Sequence, residues 1–69
     1  MKIDHLYAYS EFLNDECVIL IENIDDGIIH AKVIYSKTYN IKDAPFTFFD
    51  GDIKSCEIGH KDNHPEYFL

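Results

Sequence analysis

The stretch CVILIENIDDGIIHAKVIY, residues 17–35, decides the fold. Two runs rich in Ile and Val, residues 17–23 and 28–35, flank Asp25, Asp26 and Gly27. β-branched side chains suit a pleated, half-buried surface, and Asp-Gly supplies left-handed backbone for a tight turn, so the stretch predicts a β-hairpin. Two registers compete. If Asp26 and Gly27 alone form the turn, Ile21 faces Lys32 and Asn23 faces His30, which mixes polar with apolar residues on the face that holds Ile19 and Ile34. If residues 25–27 form a three-residue loop with Gly27 left-handed, one face collects Cys17/Tyr35, Ile19/Val33, Ile21/Ala31 and Asn23/Ile29. The other face then carries Val18/Ile34, Leu20/Lys32, Glu22/His30 and Ile24/Ile28, half apolar and half polar. The three-residue loop sorts the residues better and is the predicted register, with the first face as core and the second partly exposed or covered by the N-terminal segment.

Outward from this hairpin the signals weaken. Asp50-Gly51 lies between residues 46–49 and 53–58, both β-favouring, and predicts a second hairpin. Residues 38–42 link the two, and Asp43, Ala44 and Pro45 read as a turn because a residue before proline is pushed out of the α region. Residues 2–9 alternate as a strand through Ile3, His5, Tyr7 and Tyr9, with a short helical turn expected over residues 10–13. Gly, Asn and Pro from residue 59 on predict a loop-like C-terminal tail, 59–69, whose last large side chains, Tyr67, Phe68 and Leu69, should dock rather than stand in water. The fold class expected is mainly β or α+β: a small antiparallel sheet or partly open barrel of four to five strands, built on two hairpins with at most one short helix, in one domain over 1–69.

Composition bounds the function. The 69 residues are 46% hydrophobic with a formal net charge of -7, too apolar for obligate disorder and small enough that stability is a few kcal/mol, ~3–5 at most from a single core. The longest apolar run, Cys17 to Ile21, is far short of the ~20 residues of a membrane span or the ~7–15 of a signal-peptide core, so a cytoplasmic chain with reduced thiols at Cys17 and Cys56 and no membrane partner is expected. Arginine is absent and the six lysines never cluster, which argues against direct nucleic-acid binding.

Catalysis and metal binding find little footing. The serines sit in no nucleophile motif, the three glycines form no phosphate loop, and a chain this short can hardly wall a pocket of ~300–1,000 Å³, so an enzyme is not expected. Cys56, His60 and His64 are spaced by four, which on a helix would share one face. Gly59 and the Asn63-His64-Pro65 turn sequence would break that helix, and a fourth ligand would have to come from Cys17, His5 or His30, so no metal and no other cofactor is expected. Asp50-Gly51-Asp52 lacks the remaining ligands of a calcium loop.

The acidic and aromatic content remains. Carboxylates fall where turns are predicted, at Asp25 and Asp26, Asp50 and Asp52, and Asp43, and five Tyr with five Phe exceed what so small a core needs. Solubility explains part of the charge. The sharper expectation is a binder whose carboxylates occupy the basic surface of a nucleic-acid-binding protein, with Tyr7, Tyr9 and Tyr39 as the aromatic contribution to the interface. In composition alone the chain is similar to small acidic inhibitors encoded by phages and mobile elements, among them DNA mimics that block restriction or CRISPR nucleases. That likeness implies inhibition of a host defence nuclease. The alternative from the same residues is a homodimer or larger homo-oligomer serving as a structural or small-ligand module.

Overall fold

The computed structural model describes residues 1–9, 17–37, 42–51 and 55–68. It is mainly β: strands β1 (His5–Tyr9), β2 (Cys17–Asp25), β3 (Ile28–Ser36), β4 (Ala44–Phe49) and β5 (Cys56–His60), followed by two single 3-10 turns, Lys61–Asn63 and Pro65–Phe68. All five strands join one open antiparallel sheet in the order β4-β3-β2-β1-β5. The helical turn expected over 10–13 and the residues Tyr39, Asp52 and Leu69 lie outside the described residues.

The central hairpin forms, but not with the predicted loop. Asp25 pairs with Ile28, so the turn is Asp26-Gly27 alone, with both residues left-handed at φ 50 and 78. The sorted pairs are nevertheless present: Ile19 faces Val33, Leu20 faces Lys32 and Ile21 faces Ala31. Two irregularities reconcile the facts. Glu22 has no opposite residue on β3, and Ile34 has none on β2. The first extra residue shifts the register by one just beyond the two-residue turn, and the second shifts it back near the base. Burying Ile19 and Ile21 against β3 outweighs two unbroken ladders, because a one-residue slip would turn both side chains to the opposite face. The glutamate bulge costs little, since Glu22 is exposed and its carboxylate reaches the Lys32 ammonium at 3.7 Å.

The result is apolar packing on both faces. One face holds Tyr7, Ile19, Ile21, Ile29, Ala31 and Val33, extended by Phe46 and Phe48. The other holds Leu6, Val18 and Ile34, extended by Leu20, Ile58 and Tyr67. That second face was expected to be exposed or covered by the N-terminal segment; instead β1 joins the sheet, and the cover comes from Tyr67 of the C-terminal tail. The tail is therefore not a plain loop, and docking of its large residues holds for Tyr67, whereas Phe68 stays 45% exposed.

The second predicted hairpin does not form. β4 and β5 lie at opposite edges of the sheet and do not pair with each other. β5 finds its place beside β1 because Ile58 joins the Leu6, Val18 and Ile34 cluster, a long-range burial that the local Asp-Gly turn signal does not contain. Nor do residues 43–45 make a turn alone: Asp43 is left-handed at φ 62, and Ala44 and Pro45 already belong to β4, proline being tolerated because the strand is an edge.

Candidate functional site: an acidic, apolar tip

The doublets Ile28-Ile29 and Phe48-Phe49 build the site. Successive side chains of a strand point to opposite faces, so one member of each doublet must leave the core. Ile29 and Phe48 pair with each other and turn inward; Ile28 and Phe49 pair with each other and turn to the opposite face. Phe49 is left 62% exposed, the most exposed large apolar side chain among the described residues. Since Asp25 pairs with Ile28, a row of Asp25, Ile28 and Phe49 crosses three strands on one face. Directly opposed residues lie ~4.5–5.5 Å apart, so a carboxylate stands about 10 Å from an exposed aromatic ring with an aliphatic floor between them.

The end of β4 is tied to this tip. The Asp50 backbone N–H donates to the Gly27 carbonyl at 2.9 Å, which brings Asp50 beside the Asp26-Gly27 turn. Three exposed carboxylates, Asp25, Asp26 and Asp50, thus share one end of the sheet, and among the described residues none of them is in an ion pair. What reads in the sequence as two separate acidic turns is one surface. Beside it runs a shallow groove of about 370 Å³ lined by Ile28, Thr47, Phe48 and Phe49.

The other residues expected at an interface go elsewhere. Asp43 sits just before the far end of β4, about 23 Å from Asp50 at ~3.3 Å per residue. Tyr7 and Tyr9 are buried: the Tyr7 hydroxyl accepts the Lys2 backbone N–H at 2.9 Å, and the Tyr9 ring packs on Phe46 at 5.6 Å between centroids. Both are core residues: alternation points Tyr7 and Tyr9 to one face of the strand, where Tyr7 joins Ile19, Ile21 and Val33 and Tyr9 meets Phe46. Phe49 and Ile28 were the residues the sequence reading passed over, although an apolar doublet in a strand is a legible sign that one member faces out.

The residues weighed as metal ligands are also placed. Cys56 and His60 occupy the two ends of β5, about 13 Å apart at ~3.3 Å per residue, too far for one zinc with bonds of ~2.0–2.3 Å. The His60 ring instead meets His5 edge-on at 5.1 Å, and its Nδ1 accepts the Asp62 backbone N–H at 3.1 Å. Among the described residues no group of three His, Cys, Asp or Glu side chains is arranged to hold a metal ion. Comparison with known proteins finds no matching family model, no matching curated protein and no matching solved structure.

Proposed function

We propose that this chain is a small interaction protein that binds a basic protein surface through its acidic tip, with Asp25, Asp26 and Asp50 supplying charge and Phe49 the apolar anchor. The observation that supports it is their convergence: three carboxylates without an ion-pair partner among the described residues, beside a mostly exposed phenylalanine. An aromatic anchor within complementary charge is the composition of a protein–protein hot spot, whereas plain solubility needs no exposed Phe at the same place. A basic groove that ordinarily receives phosphates offers lysines and arginines that such carboxylates complement in sign, so the partner class is a nucleic-acid-binding protein and the effect is inhibition by occupation of its groove. A phage or mobile-element inhibitor of a host defence nuclease is the narrowest form of this reading. No catalytic step is assigned to the chain.

The test compares capture by the wild-type chain with capture by the triple variant Asp25→Asn, Asp26→Asn, Asp50→Asn, each immobilised and eluted with a salt gradient. Asn keeps size and turn propensity, so lost binding is electrostatic. Expected are a basic nucleic-acid-binding protein retained by the wild type, released by rising salt because exposed charges are screened over ~8 Å at physiological ionic strength, and about tenfold weaker retention by the variant. Equal retention of the same protein by both chains, insensitive to salt, would reject the acidic tip as the interface.

A second reading, a small apolar ligand module, draws on one feature. A groove of about 330 Å³ on the Leu6, Val18 and Ile34 face is lined by Tyr9, Cys17, Val18, Tyr35, Ile58 and Tyr67, at the lower limit of ~300 Å³ for a ligand pocket.

A further inference from the structure

The free edge of β4 has a hydrogen-bonding pattern that can be worked out residue by residue. Asp25 and Ile28 close a two-residue turn, so the Ile28 backbone groups point toward β2 and away from β4. The bond from the Asp50 N–H to the Gly27 carbonyl flanks the Ile28/Phe49 pair, which is the signature of a pair that does not bond to itself. Phe49 therefore points its own N–H and C=O away from β3. The β3–β4 ladder has no register shift, so Thr47 and Pro45 do the same, and Ala44, Phe46 and Phe48 bond inward. Among the described residues nothing bonds to the outward groups of Thr47 and Phe49. Pro45 has no N–H to offer and ends the usable edge on that side.

Sheet edges in soluble proteins are ordinarily blunted by charge, proline or bulges. Residues 44–49, Ala-Pro-Phe-Thr-Phe-Phe, carry no charge, and the ladder has no bulge, so among the described residues only Pro45 guards this edge. Its unguarded end is the end that carries Phe49, the groove of Ile28, Thr47, Phe48 and Phe49, and the carboxylates of Asp25, Asp26 and Asp50.

From this juxtaposition we propose that β4 receives an extended segment of the basic partner as a sixth, antiparallel strand, with backbone bonds to Thr47 and Phe49. The proposal rests on the acidic-tip reading above and specifies how the partner is held. An antiparallel segment starts beside Asp50. Its first residue is a lysine or arginine facing Asp50 and Asp26; the next lies opposite Phe49 and is apolar, continuing the row Asp25, Ile28, Phe49; and the segment ends within two further residues, where Pro45 removes the next donor. Main-chain bonds supply affinity and the carboxylates select a cationic start. A second copy of this chain is the less complementary occupant, because it would bring another net -7 to an already acidic end.

The test uses the full chain, isotopically labelled, and two capped pentapeptides, Lys-Val-Thr-Val-Thr and the same peptide with Glu in place of Lys, followed by amide NMR. Expected is that the lysine peptide shifts and protects the amides of Thr47 and Phe49, and that the glutamate peptide binds at least about tenfold more weakly. Thr47→Pro should abolish binding while leaving the fold intact, since the N–H it removes points outward as that of Pro45 would. Phe49→Ser, which keeps its N–H, should weaken binding without abolishing it. Three results would overturn the proposal. One is absence of any shift at Thr47 and Phe49. Another is a binding effect of Asp25→Asn, Asp26→Asn and Asp50→Asn with none from Thr47→Pro, which would leave the acidic tip standing without strand addition. The third is a wild-type dimer in sedimentation that Thr47→Pro converts to monomer, which would make the occupant a second copy.

Discussion

The β5 edge carries charge and a bulge that resist further pairing; the β4 strand, residues 44–49, carries neither. Glu57 of β5 is held by the Lys2 ammonium and the His5 imidazole, each at 3.5 Å, and the β1–β5 register shifts between Leu6 and Tyr7. Gly59 accommodates that irregularity at φ 147, with the His64 ring so close that a Cβ there would stand 3.2 Å from Nε2. The chain then turns back: the Lys61 N–H donates to the Asp4 carbonyl at 2.9 Å, its ammonium meets the Asp4 carboxylate at 3.3 Å, and Tyr67 packs beside Tyr35 at 6.0 Å. Charge and a bulge thus mark the β5 edge, and the tail folds back across the adjoining face as far as Tyr35 of β3, while residues 44–49 on the other edge are neutral and regular. A small sheet has two edges to manage, and here they are managed unequally, the neutral one lying beside the exposed Phe49.

The largest effect should come from what the two edges share. Ile21 is fully buried between β1 and β3, so Ile21→Ala should cost about 2–5 kcal/mol, a large part of the total for a domain of this size. Hydrogen exchange should show protection lost on β4 and β5 together; protection surviving on one edge alone would mean that the edges are separate units and the contrast between them incidental.

Next is the β5 guard. Gly59→Val forces a β-branched residue into positive φ and against the His64 ring, and should cost about 1–3 kcal/mol in urea unfolding. The β1–β5 amides should lose protection first, with those of β4 unaffected. A variant as stable as wild type would remove Gly59 and His64 from the account of this edge.

The smallest effect is a titration at the end of the covering tail. The Glu66 carboxyl is held below the usual glutamate range, first by its own backbone N–H and then by His64, whose Nδ1 lies 3.1 Å from Oε1. A carboxyl depressed in the folded state contributes stability above its ordinary pKa and loses that contribution as pH falls through the depressed value. NMR should find Glu66 titrating below the ordinary glutamate range, and His64→Gln should raise the midpoint only part of the way, because the larger cause remains. An ordinary midpoint in the wild type would detach the tail's last turn from His64.

Residues 17–35 determined the most by themselves. Alternating Ile and Val about Asp26-Gly27 fixed a hairpin, a left-handed Gly27 and the core residues Ile19, Ile21, Ile29, Ala31 and Val33, all of which the structure has; Asn23 and Tyr35, expected on the same core face, are exposed instead, Tyr35 lying beyond the Ile34 bulge beside Tyr67. Charge and the lack of arginine were equally plain in the chain, and they shape which partners suit it. The loop is two residues rather than the expected three because bulges at Glu22 and Ile34 break the ladder, which lets turn chemistry and core sorting both be satisfied. The position of β5 was decided only by tertiary packing. Asp50-Gly51 is a local signal whose worth is about that of one turn, and burial of Ile58 with Leu6 and Val18 outweighs it. The same holds for the tip. Each carboxylate and each apolar doublet could be counted in the sequence, but Asp25, Asp26, Asp50 and Phe49 become one surface only when β4 pairs with β3, because side-chain adjacency across strands is set by register and not by distance along the chain.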